Sequence, residues 1–430
     1  MVGAMKDSGV EWIGEIPEGW DISKVKYIGR YINGYAFKPD QWGQDGLPII
    51  RIQNLSGSSE SINYFDGKIS DDYLIDDGDI LISWSATLDA FIWNYGKGWL
   101  NQHIFKAIPN VQKTHKSYFF HLMKIAMLNM SSDKHGSAMQ HVTNQIFGNF
   151  QVPLPSLSEQ KLIADFLDEK CAEIDKLSED IQKQIDILND YKKSVITRAV
   201  TKGLDLNVEM KDSQVDWVKN IPKTWKVTKL KYLFDFGKGL NITKADLVPE
   251  GLPVVSYGQI HSKLNDKISL SEELLRFVDN RYQVRYPQCR IKQGNFVFAD
   301  TSEDYEGCGN CVYKRDNSKV FAGYHSIILK AKQNSDNRYL AYLFTTDLWR
   351  KQIRTAVSGV KVFSITQNIL SRASVILPPE KEKLIIADYL DSVCSDIEYS
   401  ISAKYSQLEN LTIYKKSIIY EYVTGKKRVV

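Results

Sequence analysis

The sequence predicts an α+β protein built twice over: two tandem-repeat α/β domains separated by two long helices that form an antiparallel coiled coil. Three observations predict it. A segment of the first half recurs in the second at a fixed offset. Each copy is rich in short β-type runs punctuated by Gly, Asp and Asn. Each copy then closes with a polar stretch, free of Gly and Pro, that carries a narrow apolar stripe at helical spacing.

MKDSGVEWIGEIPEGWDISKVKY (Met5 to Tyr27) returns as MKDSQVDWVKNIPKTWKVTKLKY (Met210 to Tyr232), an offset of 205, and GLPII at Gly46 returns as GLPVV at Gly251. The pairing is lost in the interior and resumes with an offset of 223: VTNQI at Val142 with ITQNI at Ile365, SEQKLIADFLDEKC at Ser158 with KEKLIIADYLDSVC at Lys381, and YKKS at Tyr191 with YKKS at Tyr414. Within the interior, GDILIS (Gly78) pairs with GNFVFA (Gly294), and His103 with His325. A shared frame around a divergent centre suggests two modules doing one job on different targets. The duplicated unit begins at Met5, so residues 1–4 are expected to be dispensable.

In chain order, strands are expected near Pro48–Ile52, Asp79–Ser83, Ala90–Trp93 and Phe150–Leu154, with helical stretches near Lys116–Leu128 and Asn337–Thr355. PLPS (Pro153 to Ser156) and LPPE (Leu377 to Glu380) precede the long helices, with Ser158 or Pro379 close to the start. Neither Gly nor Pro follows until Gly203 and Gly425. Roughly 40 helical residues would span about 60 Å. Ile174, Leu177, Ile181, Ile185, Leu188 and Val195 form one stripe; Ile397, Ile401, Tyr405, Leu408, Leu411, Ile418 and Tyr422 form the other. A narrow stripe on a polar helix wants a partner helix, and the other copy is the obvious one. Antiparallel pairing would place the globular parts at opposite ends of a rod. The domains are expected at 5–155, 156–204 (central helix), 205–378 and 379–427 (distal helix).

Composition narrows the class. The chain has 430 residues, 43% hydrophobic and 25% charged, room for about two to three domains. Lys+Arg 55 against Asp+Glu 52 excludes a polybasic protein but not one with a local basic surface. No run approaches the roughly 18 apolar residues of a membrane span. Five cysteines, an odd number in a long chain, argue against a disulfide scaffold and fit a reducing cytoplasm.

Catalytic constellations are missing. There is no Walker A loop, HExxH, Gly-x-Ser-x-Gly elbow, or Asn-Pro-Pro-aromatic or Asp-Pro-Pro-aromatic tetrapeptide. FGKG (Phe236 to Gly239) faintly echoes a glycine-rich phosphate loop without the strand-turn-helix context. Cys308 and Cys311, with Cys289 and His325, could sketch a zinc site, but the first copy has no equivalents and buried thiols explain them better. Cys171 and Cys394 suit a helix packing face. No catalytic and no metal residue is expected.

Side chains suited to DNA concentrate where the copies differ. The first copy offers Arg51, Gln53, Asn54, Trp84, Ser85, Asn101, Gln102 and His103, then Lys134, Gln140 and His141. The second offers Ser256, Tyr257, Gln259, Arg285, Arg290, Asp300, Ser302, Lys314, Arg315, Tyr324 and His325, then Ser358 and Lys361. Arg and Lys serve phosphates and guanine, Asn and Gln serve adenine, and Asp or Glu accepts from cytosine N4. Each residue alone reads more readily as an ordinary surface side chain. The signal is their aggregate.

VEWIGEIPEGW with VDWVKNIPKTW, GDILISWSAT, LNQHIF, EDYEGCG with AGYHSIIL, and SEQKLIADFLD with KEKLIIADYLD, in duplicated order, resemble the DNA-specificity subunit of type I restriction-modification systems over Met5 to Lys427. The resemblance implies a non-catalytic chain with two target-recognition domains, each reading half of a bipartite, asymmetric site in the major groove of double-stranded DNA. It implies that the helices act as a ruler for the gap. Two methyltransferase (modification) subunits would dock on them and methylate one adenine per half-site, and motor-nuclease (restriction) subunits would cleave unmodified DNA. No cofactor is expected on this chain; S-adenosylmethionine, ATP and Mg would serve the partner subunits, in a prokaryotic cytoplasm. The competing readings are a coiled-coil interaction adaptor that does not read DNA, and a solitary nuclease with a scattered acidic site.

Overall fold

The computed structural model describes residues 4–132, 142–333, 335–359 and 361–429. The chain divides into two compact units, Met1–Gln182 with Lys404–Val430, and Lys183–Ala403.

In the first unit, four antiparallel strands lie in the order Gly29–Asn33, Ile104–Pro109, Ile80–Ser83, Asp89–Ile92. Successive strand residues face opposite sides, and here both sides are covered. Ile80, Ile82, Phe105 and Ala107 enter one core; Leu81 and Ile104 enter another. Burial on both faces is why GDILIS reads as a continuous apolar run. A second sheet of four strands, Asn63–Phe65, Leu47–Ile50, Gly98–Leu100 and Leu74–Ile75, contains a parallel pair, Leu47–Ile50 with Gly98–Leu100. The strand expected at Pro48–Ile52 stops at Ile50, because the Arg51 N–H is taken by Asn54 Oδ1 at 3.1 Å and Ile52–Leu55 turns into a short helix. Helix Lys116–Ser132 packs on Asp89–Ile92.

The second unit repeats the plan. Its antiparallel sheet runs Phe234–Lys238, Ser326–Ala331, Phe296–Ala299, Cys311–Tyr313, and its mixed sheet has five strands around the parallel pair Leu252–Val255 with Val320–Ala322. Phe296 and Phe298 enter one core while Val297 and Ala299 enter the other. The helix expected over 337–355 is two, Arg338–Thr345 and Asp347–Arg354; Thr346 breaks the run, its side chain capping the second helix by accepting from Trp349 N at 3.3 Å.

The repeat holds to the level of register. Phe105 faces Asn33 as Ile327 faces Lys238; Ile104 faces Ser83 as Ser326 faces Ala299; Leu100 faces Ile50 as Ala322 faces Val255. The repeated VTNQI and ITQNI segments are helix starts: the Thr143 and Thr366 hydroxyls accept from Ile146 N and Ile369 N.

The long helices span Leu157–Lys202 and Glu380–Val423. Their portions within each unit run antiparallel. In the first unit, Phe166 lies 4.4 Å from Tyr422, and Asp175 binds Lys415 at 2.5 Å. In the second, the equivalent ion pair is Lys192 with Glu398 at 2.5 Å, and Gly203 lies beside Glu382. Ile174, Ile181, Ile185, Ile397 and Ile418 of the expected stripes are buried. Leu177 and Tyr405 instead face outward, 49% and 53% exposed, and Ile196, Ala199 and Val200 complete the packed face. Each helix ends at a left-handed glycine, Gly203 (φ 76°) and Gly425 (φ 73°), seated against the repeated tryptophans Trp225 and Trp20. Among the described residues no helix is long and apolar enough to cross a membrane.

Candidate nucleic-acid interface

In both units one end of the antiparallel sheet is built alike in backbone and differently in side chains. The central strand is entered through a histidine in left-handed conformation, His103 (φ 73°) and His325 (φ 51°). A non-glycine residue there carries a strain of roughly 1–2 kcal/mol, so the fold must over-determine both positions. It does so with equivalent bonds. The His103 carbonyl accepts from Trp84 N at 3.1 Å and the His325 carbonyl from Asp300 N at 3.1 Å. The Trp84 carbonyl then accepts from Val142 N at 3.0 Å, as Asp300 does from Ile365 N at 2.8 Å. Gly34 and Gly239 close the corner from the first strand. A Cβ on either would sit well inside contact distance of the carbonyl of Asn101 or Gly323. This close approach, not a phosphate cradle, accounts for the FGKG segment, whose first three residues lie in the strand Phe234–Lys238.

On this common frame the first unit mounts an indole. Trp84 Nε1 donates to Asn33 Oδ1 at 3.1 Å, and its ring lies 4.8 Å from His103 and 5.7 Å from Phe105. Asn101 and Gln102 flank the corner, their backbone N–H groups donating to Ile50 O (3.1 Å) and Tyr35 O (2.8 Å). Ser85 is half-buried beside Trp84 in sequence. Arg51 packs its guanidinium 5.1 Å over Trp42 and donates to Ser61 O at 3.3 Å. Gln53 and Asn54 serve the local turn: the Gln53 carbonyl accepts from Ser59 N, and Asn54 Nδ2 donates to Ser61 O at 3.0 Å. Lys134, Gln140 and His141 lie outside the described residues.

The second unit mounts charge instead. Asp300 Oδ1 lies 3.2 Å from His325 Nδ1 and accepts from Thr301 Oγ1 at 2.8 Å. Tyr257 packs 5.4 Å from His325 and 5.6 Å from Tyr324, and burial raises the Tyr324 hydroxyl above its usual range. A ribbon of Thr301–Ser302 with Phe363–Ser364 brings the exposed Ser358 and Lys361 to the same corner, since Ser358 bridges to Ser364. Ser302 is buried and donates to Asp304 O at 2.7 Å. Ser256 is buried, and Gln259 Oε1 accepts from Ser256 N at 3.2 Å, repeating the Arg51–Asn54 cap.

Four candidates lie elsewhere. Lys314 and Arg315 follow Tyr313, which pairs with Phe296 at the end of the sheet opposite His325. Lys314 is 2% exposed, bonded to Ser318 Oγ and Asp316, with its amine pushed down to about 8 by burial. Arg315 holds Asp391 of the second long helix at 2.6 Å. Arg285 and Arg290 are exposed around the edge strand Arg290–Ile291, Arg285 lying 5.4 Å over Tyr286. Sequence reasoning missed His261, Asn310 and Arg350, which form a hydrogen-bonded chain behind the Thr301–Ser302 ribbon.

Among the described residues no group of three or more His, Cys, Asp or Glu side chains is placed to hold a metal ion. Cys308 and Cys311 are buried, and burial pushes the Cys311 thiol up to about 12.

Comparison with known proteins adds the family. A model of the type I restriction modification DNA specificity domain matches the chain twice, over residues 17–186 and 222–410. The MjaVIII type I restriction enzyme specificity subunit of Methanocaldococcus jannaschii is 26% identical over 423 residues, 96% of this chain and 94% of that one. The EcoKI specificity subunit of Escherichia coli is 23% identical over 93% of this chain and 88% of its own. A chain solved in work on complex assembly and conformational transition of the type I R-M system shares the fold at a TM-score of 0.69 and 14% identity, covering 96% of this chain and 99% of that one.

Proposed function

Since the chain belongs to the type I restriction-modification DNA specificity family, the non-catalytic specificity subunits of complexes that methylate and restrict DNA, we propose that each of its two units reads one half of a bipartite, asymmetric site in the major groove of double-stranded DNA. The observation that carries this reading is the pair of sheet-end corners. Their backbones are bonded alike, through His103 with Trp84 and His325 with Asp300, while the side chains they carry are unlike. One scaffold with two sets of readers suits two different half-sites. In the first unit the set is Trp84, His103, Asn101 and Gln102, with Arg51 nearby. In the second it is Tyr257, Tyr324, His325 and Asp300, with Ser358 and Lys361. Lys314 and Arg315, at the far end of the sheet, are left to structural work.

The two long helices set the gap between half-sites in this reading, as half-site spacing does for dimeric DNA readers. Two methyltransferase subunits dock on them. Supporting this are exposed apolar side chains at equivalent places: Leu162 and Ile385 are 56% and 59% exposed, and Tyr414 and Tyr191 are 54% and 55% exposed. Matched patches, one set per unit, suit two copies of one partner. Those subunits supply S-adenosylmethionine chemistry at one adenine per half-site. Motor-nuclease subunits supply ATP- and Mg-dependent cleavage, all in a prokaryotic cytoplasm.

Exchanging residues 30–150 for those of a relative with a different site tests the assignment. The half-site read by the first unit should change to the donor's letters while the other half-site and the gap stay. A change in both halves would sink the assignment of one unit to one half-site.

A further inference from the structure

The two corners differ most in the hairpin that leaves the second sheet strand. Ile82 pairs with Ala90 across the short hairpin of the first unit, whereas Phe298 pairs with Cys311 across a hairpin five residues longer in the second. A longer loop costs more entropy to hold in one shape, and this one is held from beneath by buried cations. Arg350, 4% exposed, donates from Nη2 to Glu306 O at 2.6 Å and to Asn310 Oδ1 at 2.6 Å, and from Nε to Cys308 O at 3.3 Å. Arg354 adds a bond to Glu306 O at 2.9 Å.

The Asn310 amide is thereby oriented. Its oxygen faces Arg350, so its NH2 faces His261 Nδ1, at 3.0 Å. His261 must then carry its proton on Nε2, which donates to Thr301 O at 2.8 Å. From Arg350 to Asn310, from Asn310 to His261 and from His261 to Thr301 each bond runs from donor to acceptor in the same direction, so the chain has a single polarity. It fixes the strand Thr301–Ser302 at the start of the loop to the helix Asp347–Arg354 behind it.

Between these anchors the crest points outward. Glu303 is exposed and, among the described residues, has no hydrogen-bond or ion-pair partner. Tyr305 beside it is 44% exposed, its ring 5.7 Å from Phe363. An unpaired carboxylate on a DNA-facing corner opposes phosphate-driven binding and is useful only where it meets a donor. In the major groove the donors are the exocyclic amines, N4 of cytosine and N6 of adenine; guanine O6 and N7 and thymine O4 are acceptors and repel it.

We propose that Glu303 is a specificity-determining residue of the second unit that reads an exocyclic amino group, and that Arg350, Asn310 and His261 are positioning residues that hold it in place. This rests on the reading above, that the corner of the second unit faces DNA. The first unit lacks the device: its short hairpin ends at Asp89, which is bound to Lys124 at 3.1 Å.

The test uses the complex assembled with its methyltransferase subunits. Methylation rates are measured on duplexes carrying each base substitution across both half-sites, for the wild type, Glu303→Gln and Asn310→Ala. Glu303→Gln should lose discrimination on the order of tenfold at one base pair of one half-site, with the other half-site and the melting temperature unchanged. Asn310→Ala should relax the same base pair by a comparable factor. A Glu303→Gln complex that discriminates as the wild type does removes Glu303 from base reading. An Asn310→Ala complex that slows evenly on every duplex assigns the chain to folding alone. A wild-type complex with no split site overturns the underlying reading, and this proposal with it.

Discussion

Replacing Tyr339 by Phe removes one hydroxyl from a site where the repeat joins the helix end to the sheet. Tyr339 is 1% exposed, and its hydroxyl lies 2.9 Å from Val200 O and 3.1 Å from Ile376 O. Val200 is in the last turn of the helix Leu157–Lys202, so its carbonyl is among those a helix leaves without an internal partner. Losing the bond costs about 1 kcal/mol, and leaving a buried carbonyl unpaired adds about 1–2 kcal/mol. Tyr339→Phe should therefore destabilise by about 2–3 kcal/mol, lowering the melting temperature by roughly 4–12 °C in a unit of this size. Tyr118 is its counterpart in the first unit, bonded to Val423 O and Pro153 O at the longer distances of 3.3 and 3.2 Å. Tyr118→Phe should cost less, about 1 kcal/mol. Thermal melts and urea titrations of both variants, with the exposed Tyr305→Phe as control, decide the matter. A Tyr339→Phe variant indistinguishable from the control, or an inverted order of the two, would refute the account of how the repeat grips the helix ends.

Three further outcomes are expected. Burial holds the His121 imidazole below its ordinary value of 6.5, against the opposing pull of Asp168 at 2.7 Å. The unfolded chain then takes up this proton first, so stability is intact above about 6.5 and falls as the pH drops through that value. Urea midpoints at pH 7.5 and 5.5 should fall more for the wild type than for His121→Gln, and equal falls would show that His121 is not the group responsible. Gly239→Ala drives a methyl group into the Gly323 carbonyl; it should cost about 1–3 kcal/mol and disturb methylation at one half-site only, which a melt paired with a methylation assay reads out. Removing four residues from each helix, within 176–189 and 399–412, shortens each by about 6 Å. Mapped methylation sites should then show a changed gap and unchanged half-site letters; an unchanged gap in a folded, assembled complex would remove the ruler.

The repeat made the fold legible, because equal segments at equal spacing demand equal packing. His103 and His325 stood out as a retained pair, and the structure adds that both occupy left-handed backbone at the same corner. The capping of Arg51 N by Asn54 and Ser256 N by Gln259 was visible in principle, since a side-chain acceptor three residues on is a known helix-start signal. Lys314 and Arg315 read as surface cations because nothing local shows that the first is buried and the second reaches Asp391, 76 residues away. The Arg350–Asn310–His261 chain had no sequence signal. Its members are 40 and 49 positions apart and serve a longer hairpin that the first copy lacks. Within the matched frame the register could be inferred; within the divergent centre only folding reveals which polar groups turn inward.

The most direct test of the central claim is methylome sequencing of host DNA with and without this chain, the methyltransferase subunit and S-adenosylmethionine being present in both. The account predicts N6-methyladenine at a split motif with a fixed gap, appearing only when the chain is supplied. A methylome that is the same in its presence and absence would contradict it.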